Sequence, residues 1–113
     1  MVHKQVISLH CLGGGGEVGR SSFVLDYGER VLLDHGVKLH MDRTQYPLPV
    51  DLNLDAGVIS HAHLDHSGNF PHLFKSSHCM TYLTPPTLEL AKLLWFDTLK
   101  IAGLEGMNAN FSK

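Results

Sequence analysis

Four consecutive glycines, Gly13 to Gly16, run into Glu17-Val18-Gly19-Arg20-Ser21 and constrain this chain more than any other stretch. Gly14, Gly16 and Gly19 fit the G-x-G-x-x-G pattern of dinucleotide-binding loops. The apolar run Val6-Ile7-Ser8-Leu9 precedes it, and Asp34 stands where a ribose-binding acid would be expected. That pattern works only when a helix follows, because the helix's first N–H groups hold the pyrophosphate. Here Ser22 to Tyr27 and Arg30 to Asp34 follow, two strand-like runs split by Gly28-Glu29. A hairpin therefore stands where a helix is required. No Lys-Ser/Thr follows the last glycine, so a P-loop fails as well. The glycines read as a turn between strands, with positive φ where the backbone reverses and room for a substrate to approach closely.

The rest of the chain alternates strands and helices. Val2 to Leu12 predicts a first strand, and Val37 to Ala56, with Pro47 and Pro49, a long loop. Gly57 to His61 predicts a short buried strand, and Leu64 to Ser76 a helical segment whose true start falls near Gly68 because of Pro71. Cys79 to Leu83 predicts another strand. Thr84-Pro85-Pro86-Thr87 combines a threonine cap with proline in the first turn. Leu88, Ala91, Leu94, Trp95, Leu99 and Ala102 then repeat at helical spacing until Gly103 and Gly106. A helix with so wide an apolar stripe must pack on something. The order predicts an α/β fold with helices covering a sheet.

At 113 residues the chain suffices for one small domain, and 43% hydrophobic residues make it globular. A formal charge of −2 gives no basic footprint for nucleic acid, although local patches survive a neutral total. Cys11 and Cys79 stand apart, which argues against a disulfide framework and fits a reducing cytoplasm. There is neither a signal-like apolar core near the N-terminus nor a run of ~18 apolar residues, so no membrane association is expected. The nine histidines exceed phenylalanine and tyrosine together and point to metal or proton chemistry.

Four of the residues suited to that chemistry cluster in His61-Ala62-His63-Leu64-Asp65-His66, after the predicted buried strand. Positions i and i+2 of a strand share a face, so His61 and His63 can converge on one ion. A turn toward the helix would bring Asp65 and His66 to a second. Imidazole and carboxylate suit zinc, with manganese or iron as competitors. Asp65 stands as the catalytic candidate as well as a ligand. A pair of ions would acidify water and polarise the bond under attack.

H-x-H-x-D-H after a buried strand resembles the metallo-β-lactamase superfamily. Leu32-Leu33-Asp34-His35-Gly36 is similar to that superfamily's strand-ending aspartate segment, which implies that Asp34 supports a ligating histidine from behind. Gly14 to Ser22, Gly68-Asn69-Phe70-Pro71 and Thr84 to Leu90 resemble the β-CASP branch of RNA-processing nucleases, which includes archaeal relatives of the cleavage and polyadenylation nuclease subunit. The resemblance implies the N-terminal half of an αββα sandwich, a two-zinc site and hydrolysis of RNA phosphodiester bonds. It also implies further ligands and a cap domain that nothing after His66 supplies. A complementing segment or chain, or a second copy, is expected to cover the apolar faces, and the isolated chain is expected to be inactive. The competing readings are hydrolysis of thioesters or other small molecules on the same fold, and an inactive binding or assembly module.

Glu17 and Arg20 are placed at the rim of the site, either near substrate phosphate or as a solvated ion pair. His3, His10, His40 and His78 read as loop or solvent-facing, and His72 as packed at the surface. His35 could approach the metals but is not counted as a ligand. Tyr82, Trp95 and Phe96 have core spacing in preference to a base-stacking role. Cys11 and Cys79 read as small buried apolar residues.

Overall fold

The computed structural model describes residues 6–40, 43–50, 53–73 and 79–104. Five strands form one mixed sheet in the order β1-β2-β3-β6-β7. Its first three strands, β1 (Ser8–Gly13), β2 (Ser22–Asp26) and β3 (Arg30–His35), run antiparallel. β6 (Ala56–Val58) and β7 (Met80–Tyr82) then add in parallel. The glycine loop links β1 to β2, and Gly28, at φ 98°, turns the β2–β3 hairpin. No nucleotide-binding helix follows the glycines. What the first expected strand assigns to residues 2–5 lies outside the described residues.

Residues 37–56 do not form a plain loop. They contain β4 (Lys38–His40) and β5 (Arg43–Gln45), a small antiparallel pair. Three-residue strands are too short to show an alternating pattern, which is why sequence periodicity missed them. The segment after the histidine motif is two single-turn helices, α1 (Leu64–Ser67) and α2 (Phe70–Leu73). Pro71 has no N–H to offer the carbonyl of Ser67, four residues back. The indole of Trp95 donates to that carbonyl instead, at 2.9 Å, and so ties the long helix α3 (Pro85–Leu104) to α1. Thr84 caps α3 through the Thr87 N–H at 3.4 Å, and the helix runs one residue past Gly103. Among the described residues, no helix is long and apolar enough to cross a membrane.

The two faces of the sheet differ. Cross-strand pairing aligns Val24, Leu32, Gly57 and Thr81 on one face. There Val24 and Leu32 pack with Ile59, Phe70 and Leu73 into the core, with Trp95 against it. A Cβ on Gly57 would meet the Phe70 ring at 3.0 Å, so the bare backbone there lets Phe70 lie on the sheet. On the other face the rungs read Leu9-Leu25-Val31-Ala56-Met80 and Cys11-Phe23-Leu33-Val58-Tyr82. Leu9, Leu33, Met80 and Tyr82 are exposed there. This corrects several core assignments: Tyr82 and Phe96 are exposed, Cys11 is exposed and Cys79 half-buried.

Candidate metal centre

The site sits at the carboxyl ends of the parallel strands β3 and β6, where α/β sheets generally place ligands. Leu33 pairs with Val58, so the residues that leave the two strands emerge side by side. Asp34 ends up facing Ser60: Oδ1 accepts from the Ser60 N–H and Oδ2 from the Ser60 hydroxyl, both at 2.7 Å. Asp34 holds φ at +60°, a left-handed conformation that aspartate tolerates better than most residues and that marks functional sites.

β6 ends at Val58, so His61 and His63 lie beyond the strand and strand alternation does not unite them. A turn does. The carbonyl of His63 accepts from both His66 N–H and Ser67 N–H at 2.9 Å, which curls the chain into α1. The buried Ser67 hydroxyl fixes that curl by donating to the Ala62 carbonyl at 2.6 Å. As a result His61, His63 and Asp65 each place a donor atom within 4.8 Å of the others. The His61 ring is 5.1 Å from that of His63 and 3.9 Å from that of His66.

His66 is held from behind. Its Nδ1 lies 2.7 Å from Asp34 Oδ2, and its Nε2 lies 3.4 Å from Asp65 Oδ2. A carboxylate accepting at Nδ1 places the proton there and leaves the Nε2 lone pair for an ion. Two ligands at ~2.1 Å from a tetrahedral zinc stand roughly 3.4 Å apart, which is the Nε2–Oδ2 spacing here. The donor set of imidazoles and carboxylate, with this backing, fits zinc. The four predicted ligands are thus brought together. Asp65 contacts His66 and also completes the trio with His61 and His63, so it is the residue that joins the two parts of the cluster.

Three backbone hydrogen bonds lock this geometry. Ser21 N–H donates to the Asp65 carbonyl at 3.0 Å, Val37 N–H to the Leu64 carbonyl at 2.8 Å, and Gly36 N–H to the Ser21 carbonyl at 2.9 Å. The glycine loop is therefore stitched to the histidine motif through its last residues. A Cβ on Gly36 would run into the Asp65 carbonyl, so only glycine allows that approach. Gly36 and Ser60 carry weight that the sequence reading did not assign them. The available signals were a glycine directly after a strand-ending Asp-His and a hydroxyl directly before the histidine motif.

Glu17 and Arg20 form a two-point ion pair, Nε–Oε1 at 2.7 Å and Nη2–Oε2 at 3.1 Å. Arg20 Nη1 also donates to the Tyr46 carbonyl at 3.2 Å. Arg20 hydrogen-bonding, followed by its charge and that of Lys38, holds the Glu17 carboxyl below the usual carboxylate range despite some desolvation. Arg20 is thus held within the loop by Glu17 and Tyr46, the ion-pair arrangement of the two that the sequence offered. His35 turns away from the ligands. It is buried, with Nδ1 2.7 Å from Ser22 Oγ and its ring edge-on to Phe70. Burial, with the charge of His72, pushes its pKa down to about 4. His10 is exposed and His72 half-buried. His3 and His78 lie outside the described residues.

A mixed sheet carrying a histidine–aspartate cluster at its parallel strand ends defines a small α/β protein with a candidate metal centre. Among curated proteins, the chain is similar to the Transcription termination factor FttA of Methanosarcina mazei, 40% identical over 111 residues that make up 90% of this chain. Similar matches are to the proteins of the same name from Thermococcus kodakarensis, 40% identical over 85% of this chain, and Methanocaldococcus jannaschii, 37% identical over 94%. The chain spans only 17–18% of the length of these relatives. No family model matches it.

Proposed function

We propose that this chain is the metal-binding first half of a metallo-β-lactamase-type hydrolase that cleaves RNA phosphodiester bonds in the cytoplasm, with the second half of the sandwich completing the site. The observation that carries the reading is the relay Asp34–His66–Asp65 joined to His61 and His63 at one sheet end. The relatives' name, a transcription termination factor, supports an RNA substrate over a thioester. The bare sheet face supports a covering half, as does the fraction of those relatives that this chain spans.

In this reading His61, His63, Asp65 and His66 hold two zinc ions. Zinc, when bound, supplies Lewis acidity and makes water acidic enough to act as a nucleophile near neutral pH. Asp34 fixes the His66 tautomer, and Ser60 fixes Asp34. The Gly36–Ser21–Asp65 backbone lattice keeps Asp65 from rotating out of the cluster, and fixed placement is what such a site contributes to rate.

The test is zinc-dependent cleavage of single-stranded RNA, with a thioester assayed beside it, using the chain supplied with the remainder of the fold. RNA cleavage that a chelator abolishes is expected. Thioester turnover without RNA cleavage overturns the substrate, and two tightly held ions with full activity in the lone chain overturn the need for a second half.

A further inference from the structure

Beside the candidate metal centre lies an open cleft of roughly 410 Å³. Val18, Leu39 and Leu94 give it apolar walls, His63 and Asp65 lie along it, and Lys38 is the cation that lines it. Val18 is 84% exposed, so the glycine loop presents an apolar tip to solvent at the mouth of this cleft.

Among the described residues, Glu17, Arg20 and Lys38 form a trio of one anion and two cations. Glu17 is shared by two cations, and Arg20 takes both of its oxygens at hydrogen-bonding distance. Lys38 Nζ reaches Glu17 Oε1 only at 3.7 Å, too long for a hydrogen bond. Arg20 is immobilised further by the Tyr46 carbonyl. One positive charge is thus left over in this trio, and it sits on the more weakly held, flexible side chain. The stem of Lys38 is fixed by packing on Gly19, where an added Cβ would meet Lys38 Cβ and Cγ at 2.9 Å. A long, half-buried ion pair of this kind contributes little stability, so exchanging it for another anion costs little.

We propose that Lys38 is a phosphate-contacting residue of this cleft, which trades its long contact with Glu17 for a backbone phosphate of single-stranded RNA lying beside His63 and Asp65. The inference rests on the RNA reading of the site. Glu17 then acts as a placeholder that keeps the ammonium over the cleft, and Val18 and Leu39 offer apolar surface to the adjoining nucleotide.

The experiment measures anisotropy of a fluorescein-labelled oligouridylate against salt, with the chain supplied with the remainder of the fold, for the unaltered protein and for Lys38→Gln, Lys38→Arg and Lys92→Gln. Lys92 lies on α3, paired only loosely with Glu89 at 3.8 Å. Lys38→Gln is expected to weaken binding several-fold and to flatten the log–log salt slope by about 0.7, the value for one phosphate contact on a single strand. Lys38→Arg is expected to restore most of both, and Lys92→Gln to change neither. Binding with the same slope in Lys38→Gln overturns the inference alone, as does an equal loss in Lys92→Gln. No oligouridylate binding by the unaltered protein removes the RNA reading and this inference with it.

Discussion

The carboxyl end of the sheet and the sheet's bare face are built from the same five strands, yet they are finished to different degrees. At the carboxyl end, polar groups are paired: Asp34 with Ser60 and His66, Ser67 with Ala62, Ser22 with His35. Glycine stands where a side chain would collide with Asp65. On the bare face, Leu9, Met80 and Tyr82 are more than half exposed and nothing among the described residues covers them. A contiguous exposed apolar surface of this kind signals an interface. The site end is finished by contacts within the chain, while the face is left open among the described residues. Substitutions should therefore act on stability at one and on association at the other.

The largest effect is expected from Gly36→Ala. The new methyl meets the Asp65 carbonyl, which cannot withdraw because Ser21 N–H holds it. Backbone must move, and the expected cost is about 4 kcal/mol or loss of a cooperative melt. Gly28→Ala provides the contrast: its φ of 98° disfavours a side chain, but the space around it is open, so about 1 kcal/mol is expected. Equal costs in denaturant melts would show that the Gly36 approach is not special.

His35 gives the next largest effect and a pH signature. Its pKa falls from 6.5 to about 4 on folding, so between those values the unfolded chain carries a proton that the folded chain refuses. Stability is complete above pH 6.5 and declines as pH falls toward 4, by up to about 3 kcal/mol. Melts of the protein and of His35→Gln across that window measure it. A difference between them that does not change with pH would mean the imidazole is not kept neutral by burial.

The histidine–aspartate cluster was legible in sequence because His61, His63, Asp65 and His66 fall within six residues. The mechanism that assembles it was not. Alternation along a strand suggested the convergence of His61 and His63, whereas the strand stops at Val58 and a turn accepted by the His63 carbonyl does the work. Turns closed by one carbonyl leave no periodic trace. The hairpin after the glycine loop and the threonine cap of α3 were readable, since each rests on local residue chemistry. The β4–β5 pair was not, because three-residue strands are too short to alternate, and neither was the partner of the Ser67 carbonyl, because Trp95 lies 28 residues from Ser67. Burial of Tyr82 and Phe96 was over-assigned for a related reason: apolar spacing shows that a face seeks cover, not whether cover is present.

Asp34→Asn probes the site without touching its backbone. Asparagine tolerates the left-handed φ as aspartate does, and it can still accept from Ser60. What it loses is the negative charge behind His66. Zinc affinity measured against a chelating dye is expected to fall 10–100-fold, with roughly 1 kcal/mol or less change in the melt of the metal-free protein. Unchanged affinity would remove His66, or its backing by Asp34, from the set of groups that hold the ion.

The smallest effect on the chain's own stability is expected at the bare face. Leu9→Ser and Tyr82→Ser each alter a side chain more than half exposed, so their melts should shift by no more than about 0.5 kcal/mol. Association should respond instead. If a second copy covers the face, sedimentation of the double variant should show less self-association. If the remainder of the sandwich covers it, binding of that segment should weaken while the double variant stays as stable as before. A loss of ~2 kcal/mol or more in the melt of either single variant, the cost of unburying a large side chain, would show that the chain already covers this face itself. The two ends of the comparison would then be equally complete.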